Sequence, residues 1–227
     1  MSKQIVILLG PPGAGKGTLA VQLSERVELP HVSTGELFRS AVRNQTELGR
    51  QVGDILSSGQ LVPDEITNQI VRERLDAADC ANGALMDGYP RTVAQAVALD
   101  QFAPVTAVLS LVIDDDEIVR RLSGRLTCPS CGAIYHSEHH PPAKSEVCDN
   151  CGADLAQRAD DQPEAVAARL RVYHAQTEEL ERLFRERGVL REVDATAGPS
   201  EVLEETVALL AAVAPSLGAA SPAPRPR

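Results

Sequence analysis

The apolar residues of this chain form short continuous runs that alternate with longer amphipathic stretches. The runs, which are typical of buried parallel strands, cover residues 5–9, 84–87, where the run ends in Asp87, and 105–113; residues 189–193 are predicted to form the last strand. The stretches between them repeat apolar residues every three or four positions, as amphipathic helices do. Because strands alternate with helices, the sequence predicts an α/β fold in which a parallel sheet carries helices on both faces and right-handed crossovers.

Capping residues and helix lengths predict how the chain is divided between the strands. Two short helices are expected within residues 33–62, which would form a compact insert. Asp64 is predicted to cap the helix that follows the insert. A long helix is expected over residues 163–188, and Ser200 is predicted to cap the last helix.

Residues 124–161 differ in composition from the rest of the chain. They are rich in Cys, His, Pro and Gly and short of aliphatic side chains, so they cannot build a hydrophobic core of useful size. We expect them to form a separate lobe that needs a covalent or metal staple. Residues 1–32, 63–123 and 162–213 are assigned to the core, and the Ala- and Pro-rich residues 214–227 are predicted to be a disordered tail.

Length and charge exclude several classes of function. A chain of 227 residues suits one large domain with insertions, and its net charge of −10 argues against non-specific binding to nucleic acid. Aromatic platforms for single strands are scarce, with three Tyr, three Phe and no Trp. No apolar run approaches the roughly 20 residues that span a bilayer, and no leader pattern occurs. The expectation is a cytoplasmic protein without nucleic-acid or membrane partners.

The nonapeptide GPPGAGKGT at residues 10–18 follows the first apolar run and precedes a helical pattern. Its Gly-x4-Gly-Lys spacing, ending at Lys16, matches the phosphate-loop pattern, in which backbone N–H groups, a helix start and a lysine surround phosphate oxygens. Ser or Thr usually follows the lysine directly, whereas here Gly17 precedes Thr18. A plain glycine-rich turn is the alternative, but the preceding strand favours a phosphate site.

Two Cys-x2-Cys pairs, separated by sixteen residues, lie in the 124–161 lobe: Cys128, Cys131, Cys148 and Cys151. Each pair is followed by Gly, as in zinc knuckles, and four thiolates form a closed tetrahedral site without an open catalytic position. We interpret the pairs as a structural zinc site. A redox dithiol pair and a nucleic-acid-binding ribbon are alternatives, which a reducing cytosol and the acidic composition disfavour. Cys80 has no partner and is interpreted as passive.

Six arginines occupy positions that suit phosphate binding: Arg39, Arg91, Arg121, Arg125, Arg158 and Arg169. A single arginine is usually a solvated surface residue. Arg91, however, follows a predicted strand that ends at Asp87, and ligands of open α/β sheets bind beyond the carboxyl ends of strands. Others flank both ends of the cysteine lobe. Because guanidinium groups bind phosphate bidentately, the set favours the handling of a transferring phosphoryl group.

Five motifs occur in order along the chain: GPPGAGKGT at 10–18, STGELFR at 33–39, DGYPRT at 87–92, RLSGR at 121–125 and RADD at 158–161. With these motifs the chain resembles adenylate kinases of the long, zinc-bearing bacterial type over residues 3–213. The resemblance implies a three-layer P-loop nucleoside monophosphate kinase fold and reversible, magnesium-dependent transfer, ATP + AMP giving two ADP. This reaction maintains the balance of adenine nucleotides. The insert would then bind AMP and the cysteine lobe would be a lid.

On the donor side, the resemblance implies that the loop and the lid hold ATP. The implied ATP-binding residues are Gly13, Ala14, Gly15, Lys16, Gly17, Thr18, Arg121, Arg125, Ile134, Tyr135 and Ala197. Magnesium would lie near Thr18 and be held by Asp87 through water, while the cysteine pairs would hold structural zinc. Relatives usually carry Asp-Gly and a nearby lysine at the last strand, where this chain has Ala195 and Ala197, so altered contacts to the donor base are expected.

On the acceptor side, the resemblance implies a second set of contacts. The implied AMP-binding residues are Thr34, Arg39, Gln60, Leu61, Val62, Gly88, Tyr89, Pro90, Arg91, Gln95, Arg158 and Arg169. Gln95 would read the adenine edge through its paired donor and acceptor. The residues implied to act in transfer itself are Lys16, Arg91, Arg125, Arg158 and Arg169. A lid that closes over both nucleotides would exclude water, the competing acceptor.

Three functions remain open at this stage. The first is an AMP kinase, which Gln95 and the full set of arginines favour. The second is a related phosphate-loop kinase with another donor or acceptor, such as GTP with AMP. The third is a zinc-ribbon nucleotide sensor that binds without transferring. A monomer is expected from the resemblance alone.

Overall fold

The structure, a computed structural model, describes residues 3–218, and its strands form one main sheet and one small hairpin. The strands are β1 (Gln4–Leu9), β2 (His31–Ser33), β3 (Gly83–Asp87), β4 (Val105–Val112), β5 (Arg125–Thr127), β6 (Ile134–His136) and β7 (Leu190–Asp194). The main sheet has the order β2-β3-β1-β4-β7, and every pairing in it is parallel. Strands β5 and β6 pair antiparallel. The predicted parallel sheet is confirmed.

Helices cover both faces of the main sheet. In chain order, the helices of the described residues are α1 (Lys16–Val27), α2 (Thr34–Arg43), α3 (Glu47–Ser57), α4 (Asp64–Leu75), α5 (Val93–Asp100), α6 (Asp115–Ser123), α7 (Pro163–Val172), α8 (Glu178–Glu186), α9 (Pro199–Val213) and α10 (Pro215–Gly218). Helices α1 and α9 share one hydrophobic cluster with the sheet, whereas α4, α5 and α8 share another. Within residues 3–218, no helix has the length and apolar character that crossing a bilayer requires.

The central strand β1 shows why its sequence is a continuous apolar run. Val6 and Leu8 pack into the cluster with α1 and α9, whereas Ile5 and Ile7 pack into the cluster with α4, α5 and α8. All four side chains are 0 % exposed. Because successive side chains of a strand point to opposite faces, a sheet covered on both faces needs apolar residues at every position.

Asp64 does not cap a helix as predicted. It is the first residue of α4, and Pro63 precedes the helix as its capping residue without a side-chain hydrogen bond. The Asp64 carboxylate instead accepts hydrogen bonds from the side chains of Thr92 and Gln95, at 3.0 and 2.7 Å. Asp64 therefore joins α4 to the start of α5, a tertiary role that a local capping pattern does not reveal.

The long helix predicted over residues 163–188 is interrupted. A π-helical turn, Tyr173–Thr177, joins α7 to α8. The extra residue of a π turn changes the direction in which the following side chains point. Thr177 is buried at this turn, and its hydroxyl donates to the backbone carbonyl of Arg91 at 3.2 Å.

The C-terminal boundaries also differ from the prediction. Helix α9 begins at Pro199 after a Gly198 cap, so Ser200 lies inside its first turn, because proline suits the first helical position. Ala214 and Leu217 pack into the core cluster at 4 % and 8 % exposure. The prediction of a disordered tail from residue 214 is therefore wrong for residues 214–218. The rest of that predicted tail, residues 219–227, lies outside the described residues.

Helix α3 packs closely against α2 at Gly49. A Cβ on Gly49 would overlap the backbone carbonyl oxygen of Ala41, so Gly49→Ala must push the two helices apart. Such overpacking costs about 1–3 kcal/mol. We expect Gly49→Ala to lower the free energy of unfolding by this amount, measured by denaturant or thermal unfolding.

Gly53, on the same helix, provides a matched control. A Cβ there would meet nothing within 4 Å. Because alanine favours a helix over glycine by about 1 kcal/mol, Gly53→Ala should leave stability unchanged or raise it slightly. Equal destabilisation by the two substitutions would contradict the close packing at Gly49.

Candidate active site

The loop between β1 and α1 has glycine at three positions with a positive φ, Gly10, Gly13 and Gly15, and two of them show what glycine provides. Gly10 has a φ of +130°, and a Cβ on it would lie 2.7 Å from the carbonyl oxygen of Leu111 on β4. Gly15 has a φ of +93° and caps α1, which begins at Lys16. The free N–H groups of the first turn and the positive end of the helix dipole therefore face the loop. This geometry suits a phosphate chain.

The ammonium group of Lys16 folds back over this loop. Its Nζ donates to the carbonyl oxygens of Gly10 and Pro11, each at 2.7 Å. Burial lowers the pKa of Lys16 to about 7, with the charge of Asp87 opposing and nearby arginines adding to the effect. A phosphate next to Nζ would favour the protonated form and restore the full positive charge.

The lowered pKa of Lys16 predicts a pH dependence of triphosphate binding. Above its pKa of about 7, the lysine must take up a proton when the anion binds. Affinity for ATP should therefore weaken with rising pH, by at most about tenfold per pH unit above the pKa, and should be level below it. Calorimetric titrations across this range measure the effect.

The Lys16→Arg variant is the control, because arginine stays charged throughout and so reports the titration of ATP itself. Its pH profile should lack the decline seen with lysine. Identical profiles for the two proteins would contradict a titrating Lys16.

Asp87 ends β3, and its carboxylate lies beside the loop. Its Oδ2 is 3.5 Å from Nε2 of His31 and 3.8 Å from the position that a Cβ on Gly17 would occupy. Burial alone would raise the pKa of Asp87, but the nearby His31 and the charges of Lys16 and Arg91 lower it overall. Asp87 therefore stays ionised, and a carboxylate oxygen is a ligand that magnesium or its bound water prefers.

Five of the six predicted arginines form one charged group, in which neighbouring arginines lower the pKa of three members, and only Arg121 is outside this group. Burial first, and then Arg169, lowers the pKa of Arg91 to about 10. Burial first, and then Arg125 and Arg39, lowers the pKa of Arg158 to about 9. Burial also lowers the pKa of Arg169. Buried cations that repel one another make a strong site for a polyanion such as a chain of phosphates.

Two neighbouring carboxylates hold part of this arginine group in place. Asp161, whose side chain is 0 % exposed, accepts from Nε of Arg125 at 2.7 Å and from Nη1 of Arg169 at 3.3 Å. Asp160 places Oδ2 3.0 Å from Nη1 of Arg169. Five arginines face these two acids, so the site keeps an excess of positive charge.

The turn after β3 brings three predicted acceptor residues together. The carbonyl oxygen of Gly88 accepts from Oγ1 of Thr34 at 2.8 Å and from Nε of Arg91 at 2.9 Å. A Cβ on Gly88, which has a φ of +79°, would lie 3.0 Å from each of these side chains. Arg39 lies further along α2, where its Nε is 3.2 Å from Oε2 of Glu36. One wall of the site is thus formed by α2 and this turn.

Other predicted acceptor residues are placed differently. Tyr89 and Pro90 are buried, and the Tyr89 hydroxyl bonds within the core, so at these two positions only the backbone can meet a nucleotide. Gln60 is exposed. Leu61 and Val62 line a cleft of about 470 Å³ beside the starts of α4 and α5. This cleft has no cationic residue in its lining.

The lid lies over both sides of the site. On the loop side, Cδ1 of Ile134 is 3.9 Å from the position that a Cβ on Gly17 would occupy. On the insert side, Oε1 of Glu36 is 3.8 Å from the corresponding position on Gly132. The structure therefore shows the lid folded down against the loop and the insert together.

Two predicted donor contacts lie apart from the arginine group. Arg121 donates from Nε to Glu117 at 2.8 Å, along the surface of α6. Ala197 is partly buried against the core cluster, next to the buried Ala195. Thr18 is exposed on the first turn of α1, and Ala14 is buried in the loop. Contacts of these residues with ATP stay predictions.

The four lid cysteines converge on one point. Their Sγ atoms all lie within 4.8 Å of one another, with Cys128 to Cys151 at 3.4 Å and Cys131 to Cys148 at 3.5 Å. These distances exceed the roughly 2.05 Å of a disulfide and suit four thiolates about 2.3 Å from a shared zinc ion. The hydroxyl of the buried Tyr135 is 3.6 Å from Sγ of Cys148. The cluster can hold one metal ion.

Sequence reasoning missed three side chains that position site groups. Asp161, under Arg125, belongs to the RADD motif, so its neighbourhood could have been inferred. His31 reaches Asp87 only because β2 pairs with β3. Asp64 reaches Gln95 only because α4 packs against α5. No local spacing signals these last two contacts.

Comparison with known proteins agrees with this geometry. The family model for adenylate kinase matches residues 8–189. A curated protein named adenylate kinase from Moorella thermoacetica is 48% identical over 204 residues, 87% of this chain and 94% of the relative. The adenylate kinase of Archaeoglobus fulgidus is 45% identical over 210 residues, 90% of this chain and 97% of the relative. The chain therefore belongs to the adenylate kinase family of nucleoside monophosphate kinases.

Proposed function

We propose that this protein catalyses the reversible transfer ATP + AMP giving two ADP, with magnesium bound to the donor phosphates. The observation that carries the proposal is the convergence of Lys16 and five arginines between the phosphate loop and the turn after β3. Such a site can hold two phosphate chains end to end. Family membership and the names of the relatives support the same reaction.

Catalysis in this scheme consists of positioning and charge stabilisation. Phosphoryl transfer passes through a loose transition state with charge spread over the transferred oxygens, so no covalent protein intermediate is required. Lys16 and Arg125 would hold the donor chain, and Arg91 would hold the acceptor phosphate. Arg158 and Arg169 would neutralise charge between the two. Because the basic groups are preorganised and buried, they act more strongly than in water.

Magnesium is proposed to bind beside the loop, near Thr18 and Asp87. The ionised Asp87 carboxylate, next to the loop at Gly17, suits a hard cation that keeps its water ligands. When bound, the cation would supply positive charge that neutralises the charge developing on the phosphates. Asp87 then has two tasks, to orient the water shell and to balance the charge of Lys16.

The four lid cysteines are proposed to hold structural zinc. Tetrahedral thiolate coordination leaves no open position, so the ion would stabilise the lid without taking part in transfer. We propose that the lid moves as one rigid body hinged near Gly124 and Gln162, which cap the facing ends of α6 and α7. Closure would bring Arg125 and Arg158 onto the phosphates and exclude water.

The acceptor and donor are tested by one assay series. Coupled detection of ADP with ATP as donor and AMP, GMP, CMP or UMP as acceptor should show transfer to AMP in strong preference. Preference for another monophosphate would favour a related kinase, and GTP is tested in place of ATP for the same reason. Tight binding without transfer would favour a nucleotide sensor. A cytoplasmic monomer is the proposed working form.

A further inference from the structure

The side-chain amide of Gln95 is held from both ends. Its Oε1 accepts from the backbone N–H of Arg91 at 2.7 Å, and its Nε2 donates to Oδ1 of Asp64 at 2.7 Å. The Asp64 carboxylate is itself fixed, because the hydroxyl of Thr92 donates to Oδ2 at 3.0 Å. Gln95 is only 2 % exposed, so water does not readily replace these partners.

The chemistry of the two partners decides which way the amide points. A backbone N–H can only donate, and a carboxylate can only accept. Turning the Gln95 amide by half a turn would place its NH₂ against the N–H of Arg91 and its oxygen against the carboxylate of Asp64. Both hydrogen bonds would be lost in a buried environment, where an unpaired polar group is costly. The protein, and not a bound base, therefore sets the orientation.

The amide keeps one free donor and one free acceptor. In the described part of the chain each amide atom has a single protein partner, which leaves the second N–H of Nε2 and the second lone pair of Oε1. The edge of adenine presents N1 as an acceptor beside the N6 amino donor, which matches this pair. A 6-oxopurine presents the reverse, an N1–H donor beside an O6 acceptor, and matches only the turned amide.

We propose that Asp64 is a specificity-determining positioning residue: by locking the amide of Gln95 in one orientation, it makes the acceptor site select adenine over 6-oxopurines. The inference rests on the proposed function, in which the base of AMP meets Gln95. Asp64 acts through Gln95 and does not itself touch the nucleotide. The ion–dipole contact between the Asp64 carboxylate and Nε2 prevents the Gln95 amide from turning over.

The test compares AMP with IMP, which differ only in the edge that Gln95 would read. Asp64→Asn keeps the shape of the side chain, but its amide can either donate or accept, so the direction of Gln95 is no longer enforced. The ratio of kcat/KM for AMP to that for IMP should fall at least about tenfold, a change of about 1.4 kcal/mol in discrimination. The loss should lie mainly in KM for AMP, with kcat retained.

Glu65→Gln is the matched control. Glu65 is the next residue of α4, is exposed, and loses the same charge on substitution. Its AMP to IMP ratio should equal that of the unsubstituted protein. Asp64→Ala, which removes the acceptor that fixes Nε2 of Gln95, is a second test of the same prediction should the asparagine variant fold poorly.

A purely structural role for Asp64 gives a different result. It would lower kcat/KM for AMP and IMP by the same factor and leave their ratio unchanged in either Asp64 variant, which overturns the inference. Failure of the proposed function is recognised separately, because the unsubstituted protein would then not phosphorylate AMP at all. A fall in the ratio confined to the Asp64 variants supports the inference.

Discussion

Replacing Lys16 by methionine should reduce kcat for ATP with AMP by at least about 100- to 1000-fold, the usual effect of removing one preorganised charge from a transition state. The ammonium group stands at the start of α1 within the same electrostatic environment as Asp87 and three arginines. Methionine keeps the length and apolar stem of lysine but cannot neutralise the transferred group. Steady-state kinetics with saturating nucleotides measure the effect.

The stability of the Lys16→Met protein separates lost catalysis from lost folding. The folded-state pKa of Lys16, about 7, is below its unfolded value of 10.5. The charged lysine therefore disfavours folding, fully below about pH 7, and this penalty fades as pH rises toward the unfolded pKa. The variant should unfold at the same or a higher temperature near neutral pH. Lys144→Met, in the exposed part of the lid, is the control and should keep full activity. A Lys16→Met protein with unchanged activity would contradict the account.

Removing the lid metal should strongly reduce activity while leaving the core folded. The lid's own hydrophobic cluster contains only Cys128, Tyr135, Cys148 and Leu155 as buried members. So small a core needs the metal, whose apparent binding in zinc-finger peptides is about 10–16 kcal/mol. Cys131→Ser, or chelation of the unsubstituted protein, should unfold the lid at temperatures where circular dichroism still reports the core helices. Because Arg125 and Arg158 lie at the lid base, transfer should fall about 100-fold or more.

Cys80→Ala is the control for the loss of a cysteine. Cys80 is buried in the core cluster with α4 and α5, far from the lid ligands in sequence and outside their cluster. It should keep one zinc per chain, measured by metal analysis, and keep its lid. A metal-free Cys131→Ser protein with unchanged melting behaviour and activity would show that the metal does not hold the lid.

The strands, the phosphate loop and the cysteine cluster could be predicted from sequence because each depends on contiguous or closely spaced residues. An apolar run covered on both faces, as at Ile5 to Leu9, is a direct consequence of strand geometry. The loop is equally local, since the positive φ at Gly10 and Gly15 demands glycine whatever else surrounds it. The cysteine pairs predict their own convergence, because tetrahedral coordination sets their spacing.

Contacts between distant elements could not be predicted in this way. Asp64 looks like a helix cap in the sequence, but its carboxylate is used by Gln95, 31 residues away. Tyr89 and Tyr135 are among the implied nucleotide-binding residues, yet their side chains pack into the core and beside the metal cluster. The π turn at Tyr173–Thr177 serves a hydrogen bond to Arg91, which no periodicity predicts. Packing across elements decides each of these cases.

The central claim is that a closed site transfers a phosphoryl group between two nucleotides while water is excluded. Phosphorus NMR of ATP, AMP and magnesium mixed with the protein measures both parts of the claim in one spectrum. The account predicts two ADP for each ATP consumed and no matching release of inorganic phosphate. Consumption of ATP that yields phosphate while AMP stays unchanged, or no reaction at all, would contradict it.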